Sequence, residues 1–136
     1  MTPIHTTISI REGVRVSVLL TPALSGVAKR RGIDLMRELN ESKEDPSALN
    51  IVFAKIIYCG AISAHEVAAV DNPALGEFGY TFSDILEWSY RDADEYLKTV
   101  DKVLEAFTGK TLAQYGQGAE VKKKRKGRLS SSTTNR

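Results

Sequence analysis

The 136-residue sequence has little of several residue types that define common classes of protein. Its one cysteine, Cys59, excludes an intrachain disulfide and a cysteine metal cluster, which favours a reduced, intracellular setting. It has no run of about 18 apolar residues, which predicts that no segment spans a membrane. The start, MTPIHTTISIREG, lacks the basic and apolar blocks of a signal peptide. The length and the 42% hydrophobic content predict one globular domain.

Motifs for catalysis are also lacking. His65-Glu66 resembles the start of a zinc-protease pattern, but Ala69 stands where that pattern needs its second histidine. Cys59 lies within the apolar segment IIYCGA with no histidine at a motif spacing, which favours a buried thiol over a nucleophile. Five acidic residues are expected on solvated helix faces rather than around a metal: Asp84, Glu87, Asp92, Asp94 and Glu95. We therefore expect no catalytic residue, no metal and no cofactor.

Charge is distributed unevenly along the chain. Residues 1–121 contain 12 basic and 17 acidic residues, a net charge of −5, whereas residues 122–136 contain seven basic and no acidic residues. Six of these basic residues are clustered: Lys122, Lys123, Lys124, Arg125, Lys126 and Arg128. The cluster follows an acidic domain and has no interleaved aromatic residue that could stack on bases. We interpret it as part of a disordered, solubilising tail rather than as a nucleic-acid site.

The first 20 residues alternate between apolar and polar side chains. Two such runs, 4–10 and 14–20, are rich in β-branched residues and are joined by a short turn that contains Gly13. This pattern predicts a β-hairpin with one buried face. An isolated hairpin is only marginally stable in water, so helices are expected to cover it.

Helices are predicted from start signals and from apolar side chains at three- and four-residue spacing. Their approximate bounds are 22–31, 33–40, 46–70, 82–90 and 92–108. Thr21 and Asp45 each precede a proline at a helix start, and Thr81 begins a capping box. The predicted fold is α+β and mainly α, with an N-terminal β-hairpin packed on a bundle of about four to five helices. It forms one domain, residues 1–115, followed by the basic tail, residues 116–136.

Aromatic and small side chains are the candidates for partner binding. Trp88 points roughly 120° away from the centre of the apolar stripe on its helix, so it either packs under a neighbouring helix or anchors a partner. A small-residue face on the longest helix would let another helix or another subunit approach closely, which makes self-association a hypothesis. The candidate residues are Phe78, Tyr80, Trp88, Tyr90, Gly60, Ala61 and Ala64.

Three segments carry a resemblance to a known family. Ile56–Ala61 ends in an apolar–Gly–small sequence, Tyr80–Asp84 opens a helix with Tyr-Thr and an acidic residue, and Leu104–Phe107 ends an amphipathic helix near Phe. In this order they resemble the tail assembly chaperones of long-tailed bacteriophages and their prophage relatives. The resemblance extends over roughly residues 4–112.

The resemblance implies a non-enzymatic protein of the bacterial host cytoplasm. Such chaperones bind the tape measure protein, keep it soluble and help the tail tube protein polymerise around it. Their genes often yield a longer product by ribosomal frameshifting, and codons for Lys122–Lys124 could form the slippery run. The alternatives are a small nucleic-acid-associated protein or another phage structural protein that uses the basic tail, and an enzyme of an unrecognised type.

Overall fold

The computed structural model describes residues 3–108. The basic cluster, the rest of the tail from residue 116 and the final residues of the predicted domain lie outside the described residues. The fold is α+β and mainly helical, as the sequence predicts. Its elements are β1 (Ile4–Arg11), β2 (Val14–Leu20), α1 (Leu24–Arg30), α2 (Leu35–Ser42), α3 (Pro46–Asp71), a 3₁₀ turn (Pro73–Leu75), α4 (Phe82–Arg91) and α5 (Ala93–Thr108).

Strands β1 and β2 form the predicted antiparallel hairpin. Ile4 is paired with Leu20 and Ile8 with Val16, so alternate side chains of both strands share one face. Gly13 has a φ of 75° in the connecting turn, a backbone conformation that favours glycine. The buried face of the hairpin consists of Ile8, Ile10, Val16, Val18 and Leu20. This face lies against α3, α4 and α5.

Helix α3 is the central element, since it contacts β2 and every other helix. Asp45 caps it as predicted, because its carboxylate accepts hydrogen bonds from the backbone N–H groups of Ser47 and Ala48 at 3.1 and 3.3 Å. Its 26 residues extend for about 39 Å. The middle of the helix is buried, but residues 66–71 are mostly exposed. One end of α3 therefore presents side chains that the other residues in the range 3–108 do not cover.

By length and composition, α3 is also apolar enough to cross a membrane. Its apolar character is interrupted by Asn50, Lys55 and His65, so it contains no unbroken apolar run of about 18 residues. A single helix of this kind is weak evidence for a membrane segment, because the core helix of a soluble protein meets the same criteria.

Helix α1 begins later than predicted. Thr21 and Pro22 form a turn in which the Leu24 N–H donates to the Thr21 carbonyl at 3.0 Å. The N-cap residue is Ala23, which has no capping side chain. The Thr-Pro start signal therefore marks a turn immediately before the helix. Gly32 follows the helix with a φ of 76°, as expected for a left-handed cap.

Helices α2 and α4 show how side-chain caps set helix starts. Asp34 caps α2 by accepting a hydrogen bond from the Arg37 N–H at 3.2 Å, so this helix begins two residues after the predicted position. The predicted capping box of α4 is confirmed: Thr81 Oγ1 accepts from the Asp84 N–H at 3.2 Å, and Asp84 Oδ2 accepts from the Thr81 N–H at 2.8 Å. Both caps fix the chain where it enters a helix that packs on α3.

Candidate functional site

Two adjoining depressions form one open groove along α3. The first has a volume of about 520 Å³ and lies between α3 and the connection from α1 to α2. The second, of about 470 Å³, lies between α3 and the loop at residues 76–80. Arg31, Tyr58 and Glu66 line both depressions, so the two are parts of one surface, the α3 groove. The groove is lined by Val27, Arg30, Arg31, Ile33, Tyr58, Ile62, His65, Glu66, Ala69, Gly76, Glu77, Phe78 and Tyr80.

Aromatic rings packed against one another form much of this surface. Phe78 lies at the centre, with ring centroids 6.1 Å from Tyr58, 5.7 Å from Tyr80 and 5.7 Å from His65. Phe82, at the start of α4, continues the cluster with its centroid 5.8 Å from that of Tyr58. The pairs are tilted or edge-to-face, the arrangements that aromatic rings favour. All five side chains are half-buried, so the cluster is packed on one side and open on the other.

His65 fastens the loop to helix α3. Its Nε2 lies 2.8 Å from the carbonyl oxygen of Gly76 and donates to it, because a carbonyl oxygen can only accept. Gly76 has a φ of 70°, which allows the sharp turn after the 3₁₀ segment. The turn and the hydrogen bond together place Phe78 and Tyr80 against α3. The groove wall formed by this loop is therefore attached to the helix that forms the floor.

Arginine side chains lie at the edges of the groove. The guanidinium of Arg31 is 6.0 Å from the ring centroid of Tyr58, and that of Arg11 is 5.8 Å from the ring centroid of Tyr80. Both distances are within the range of a cation–π interaction. Within residues 3–108, neither of these arginines forms an ion pair with a carboxylate. Arg30, by contrast, lies 3.7 Å from Glu66.

Exposed apolar side chains continue from the groove toward the end of α3. Val67 is 57% exposed, Val70 is 81% exposed and Leu75 is 45% exposed. Ala69, which lies between the two valines in sequence, lines the groove itself. These three residues are exposed large apolar side chains at the end of α3 and in the 3₁₀ turn that follows it.

Of the predicted partner-binding aromatics, Phe78 and Tyr80 lie in the groove, whereas Trp88 does not. Trp88 is 0% exposed, and its indole Nε1 donates to Glu95 Oε1 at 3.0 Å. The interpretation as an exposed anchor is therefore wrong, and the packing alternative is the one that the structure supports. Tyr90 is 69% exposed on α4 but is not among the residues that line the groove.

The predicted small-residue face of α3 is used inside the domain. A Cβ atom on Gly60 would lie 2.8 Å from Val18 Cγ1 and 3.0 Å from the carbonyl oxygen of Leu19. Ala61 is buried as well, and Ala64 is half-buried. Gly60 thus lets α3 approach strand β2 of the same chain. Self-association through this face, as hypothesised from the sequence, would require α3 and β2 to separate.

Glu95, on α5, contacts residues of β1, β2 and α4. Its carboxylate accepts hydrogen bonds from the Ser9 N–H and the Trp88 indole, and Arg15 lies 3.4 Å away. Partial burial raises the pKa of Glu95, but the hydrogen bonds from Ser9 and Trp88 and the charge of Arg15 outweigh burial, so its pKa is lowered. Glu95 is therefore ionised at neutral pH and holds β1, β2, α4 and α5 together.

Cys59 lies in the core of α3 and is fully buried. Burial raises the pKa of its thiol to about 11, despite the opposing charge of Arg31. The thiol is therefore protonated at neutral pH, which agrees with the prediction of a buried structural cysteine.

The sequence did not identify Arg31, Tyr58 or the exposed valines Val67 and Val70 as part of a site. The aromatic residue within IIYCGA was the available signal for Tyr58.

The α3 groove and its surroundings combine half-buried rings, exposed aliphatic side chains and arginine guanidinium groups. Within residues 3–108, no group of three or more His, Cys, Asp and Glu side chains could hold a metal ion. No family model, curated protein or solved structure matches the chain. The geometry of the groove and the order of the sequence segments are therefore the grounds for assigning a function.

Proposed function

We propose that this protein is a non-enzymatic phage tail assembly chaperone that binds the tape measure protein in the cytoplasm of the bacterial host. In this role it keeps the tape measure protein soluble and assists polymerisation of the tail tube protein around it. The observation that carries the binding role is the α3 groove with its adjoining exposed apolar side chains. The choice of client rests on the resemblance of the sequence to that family.

The groove suits an apolar face of a helix. A helix that lies in a groove presents side chains at i, i+3, i+4 and i+7, and neighbouring anchors are about 5–6 Å apart. The two connected depressions, of about 520 and 470 Å³, provide room for several such side chains. Rings at Tyr58, Phe78 and Tyr80 offer large contact surfaces that lose little conformational entropy on binding.

The charge of the domain favours a solubilising role. Residues 1–121 have a net charge of −5 within a chain whose total net charge is +2, and the like charge of these acidic domains opposes association between copies of a complex. An aggregation-prone helix that lies in the groove would hide its apolar face. The bound complex would present mostly the acidic surface of the chaperone to solvent.

Co-expression of the full chain with the tape measure protein encoded nearby tests this function. We expect the tape measure protein to move into the soluble fraction when the chain is present. The double variant Phe78→Ala/Tyr80→Ala removes two rings of the groove and is expected to reverse most of this gain. Tyr90→Ala is the matched control, because Tyr90 is an exposed aromatic residue outside the groove. A client that stays insoluble with and without the chain would contradict the proposal.

A second function is favoured by one feature of the sequence, the basic cluster at Lys122–Arg128. A nucleic-acid-associated protein would bind phosphates through this cluster, with an affinity that falls steeply as salt increases. Deleting residues 120–136 separates the two functions. A nucleic-acid binder would lose retention of DNA or RNA, whereas the chaperone would still solubilise its client. Another small phage structural protein would show neither effect and would be found in the assembled particle.

A further inference from the structure

We infer that the α3 groove selects helices that carry a carboxylate beside their apolar face, and that Arg31 binds this carboxylate. The inference rests on the proposed function, since it names the chemistry of the segment that the chaperone would bind. It concerns one occupant, a partner helix whose apolar side chains lie on the aromatic cluster. The acidic residue of that helix would be at the end of the groove where α1 meets α2.

Arg31 is placed to receive an anion. It is an exposed residue at the C-terminal cap of α1, and it lines both halves of the groove. Its guanidinium lies 6.0 Å from the Tyr58 ring centroid, and a guanidinium in a cation–π contact can still donate N–H groups to a carboxylate. The neighbouring Glu66 already has a cationic partner in Arg30. The charge of Arg31 is therefore uncompensated by a carboxylate of the described chain.

The charges around the groove are asymmetric, which gives the bound helix a direction. Arg30 and Arg31 line the half next to α1, and their only acidic neighbour in that lining is Glu66. Glu77 lines the other half, beside the aromatic loop. A carboxylate near Glu77 would be repelled, whereas one near Arg31 would be attracted. Arg11, whose guanidinium is 5.8 Å from the Tyr80 ring centroid, lies at the Glu77 half and offsets part of its charge, so the attraction of a carboxylate is expected to be greatest where Arg30 and Arg31 both line the groove.

An arginine stacked on a tyrosine also occurs in proteins that bind single-stranded nucleic acids. Two observations favour a peptide carboxylate here. Residues 1–121, which include all of the groove, have a net charge of −5 and would repel a phosphate backbone. Glu66 and Glu77 lie within the groove itself, where a strand with one charge per nucleotide would meet them. A helix with one or two carboxylates carries less negative charge than a nucleic-acid strand and can place that charge beside Arg31, away from Glu77.

Peptide binding to the full chain tests the inference. The probes are three fluorescein-labelled amphipathic peptides of about 18 residues with the same leucine face, flanked by two Glu, two Gln or two Lys residues. Fluorescence anisotropy gives the dissociation constant of each. At low salt we expect the Glu peptide to bind roughly tenfold more tightly than the Lys peptide, with Gln between them. The difference should shrink as ionic strength rises, because the pair is exposed.

Charge reversal supplies the decisive comparison. Arg31→Glu is expected to invert the order, so that the Lys peptide binds most tightly, and Arg31→Gln should remove the preference. Arg37→Glu is the matched control: Arg37 is an exposed arginine on α2 that is paired with Glu41 at 3.6 Å and lies outside the groove. It should leave the order unchanged. Circular dichroism verifies that each variant has the helix content of the wild type.

Several outcomes would overturn the inference. These are equal affinities for the three peptides, no binding of any peptide, or the same change of order in Arg31→Glu and Arg37→Glu. A fluorescent oligothymidylate that loses affinity in Arg31→Glu, but not in Arg37→Glu, would assign the groove to nucleic acid instead. If the tape measure protein is solubilised but the peptides are not distinguished, the charge preference fails and the chaperone function stands. If the tape measure protein also stays insoluble, both the charge preference and the chaperone function fail.

Discussion

Gly60→Ala tests whether the small-residue face of α3 serves packing within the chain. Gly60 is buried in the middle of α3, where the helix crosses strand β2. The added Cβ would lie 2.8 Å from Val18 Cγ1, 3.0 Å from the Leu19 carbonyl oxygen and 3.3 Å from Leu20 Cδ2. The Leu19 oxygen belongs to the backbone and cannot rotate away. Val18 is β-branched, so its side chain has few alternative rotamers.

Two opposing terms set the size of the effect. Alanine stabilises a helix interior relative to glycine by about 1 kcal/mol. Overpacking a well-packed core costs about 1–3 kcal/mol, because either helix α3 or strand β2 must shift to accommodate the added methyl group. The contacts of Gly60 are close and partly to backbone, so the cost is expected to lie in the upper part of that range. We expect a net loss of about 1–2 kcal/mol in the free energy of unfolding, or roughly 4–16 °C in melting temperature.

Urea denaturation followed by tryptophan fluorescence measures this loss. Trp88 is the only tryptophan in the chain and is fully buried, so its emission reports loss of the core. Gly26→Ala is the matched control, because Gly26 is also in a helix but a Cβ atom added there would meet no neighbouring atom within 4 Å. The control is expected to gain up to about 1 kcal/mol. If Gly60→Ala is stabilised as much as Gly26→Ala, the packing explanation is refuted.

Three further predictions concern the parts of the fold that support the groove. Glu95→Gln should lower stability by about 1–3 kcal/mol at neutral pH. Because the folded pKa of Glu95 is lowered from 4.5, this difference should shrink as pH falls below that value, and a pH-independent difference in urea midpoints would contradict it. Cys59 should react with a thiol reagent only as fast as the core of the domain opens, because the thiol is buried and its pKa is about 11. Rapid labelling of the native chain would contradict this. Thr81→Ala should cost about 1 kcal/mol through loss of the α4 cap, and an unchanged melting temperature would count against the capping box.

Local features of the fold could be predicted from the sequence because each depends on residues that are close along the chain. The hairpin follows from alternation on both sides of Gly13, and the starts of α3 and α4 follow from Asp45 and Thr81. The start of α1 was predicted too early, because a Thr-Pro pair is compatible with both a cap and a turn. Without tertiary contacts, the sequence does not distinguish these two.

The α3 groove could be predicted only in part. Phe78 and Tyr80 were identified from their position in an aromatic loop. The contact of Phe78 with Tyr58, the contact of Tyr80 with Phe78, and the placement of Arg31 beside the Tyr58 ring depend on how α1, α3 and the loop pack together. The function of Gly60 depends equally on tertiary structure. A small-residue helix face fits an approach by a strand of the same chain as well as by another subunit, and here strand β2 occupies it.

The most direct test of the proposed binding surface is amide hydrogen exchange of the full chain with and without a soluble fragment of the tape measure protein. Binding in the α3 groove predicts slower exchange in the exposed end of α3 and the following loop, residues 64–80, and at residues 30–33. Exchange in the hairpin and in α5 should be unchanged. Slower exchange confined to other elements, or no change in residues 64–80 on saturation with the fragment, would contradict a binding site in the groove.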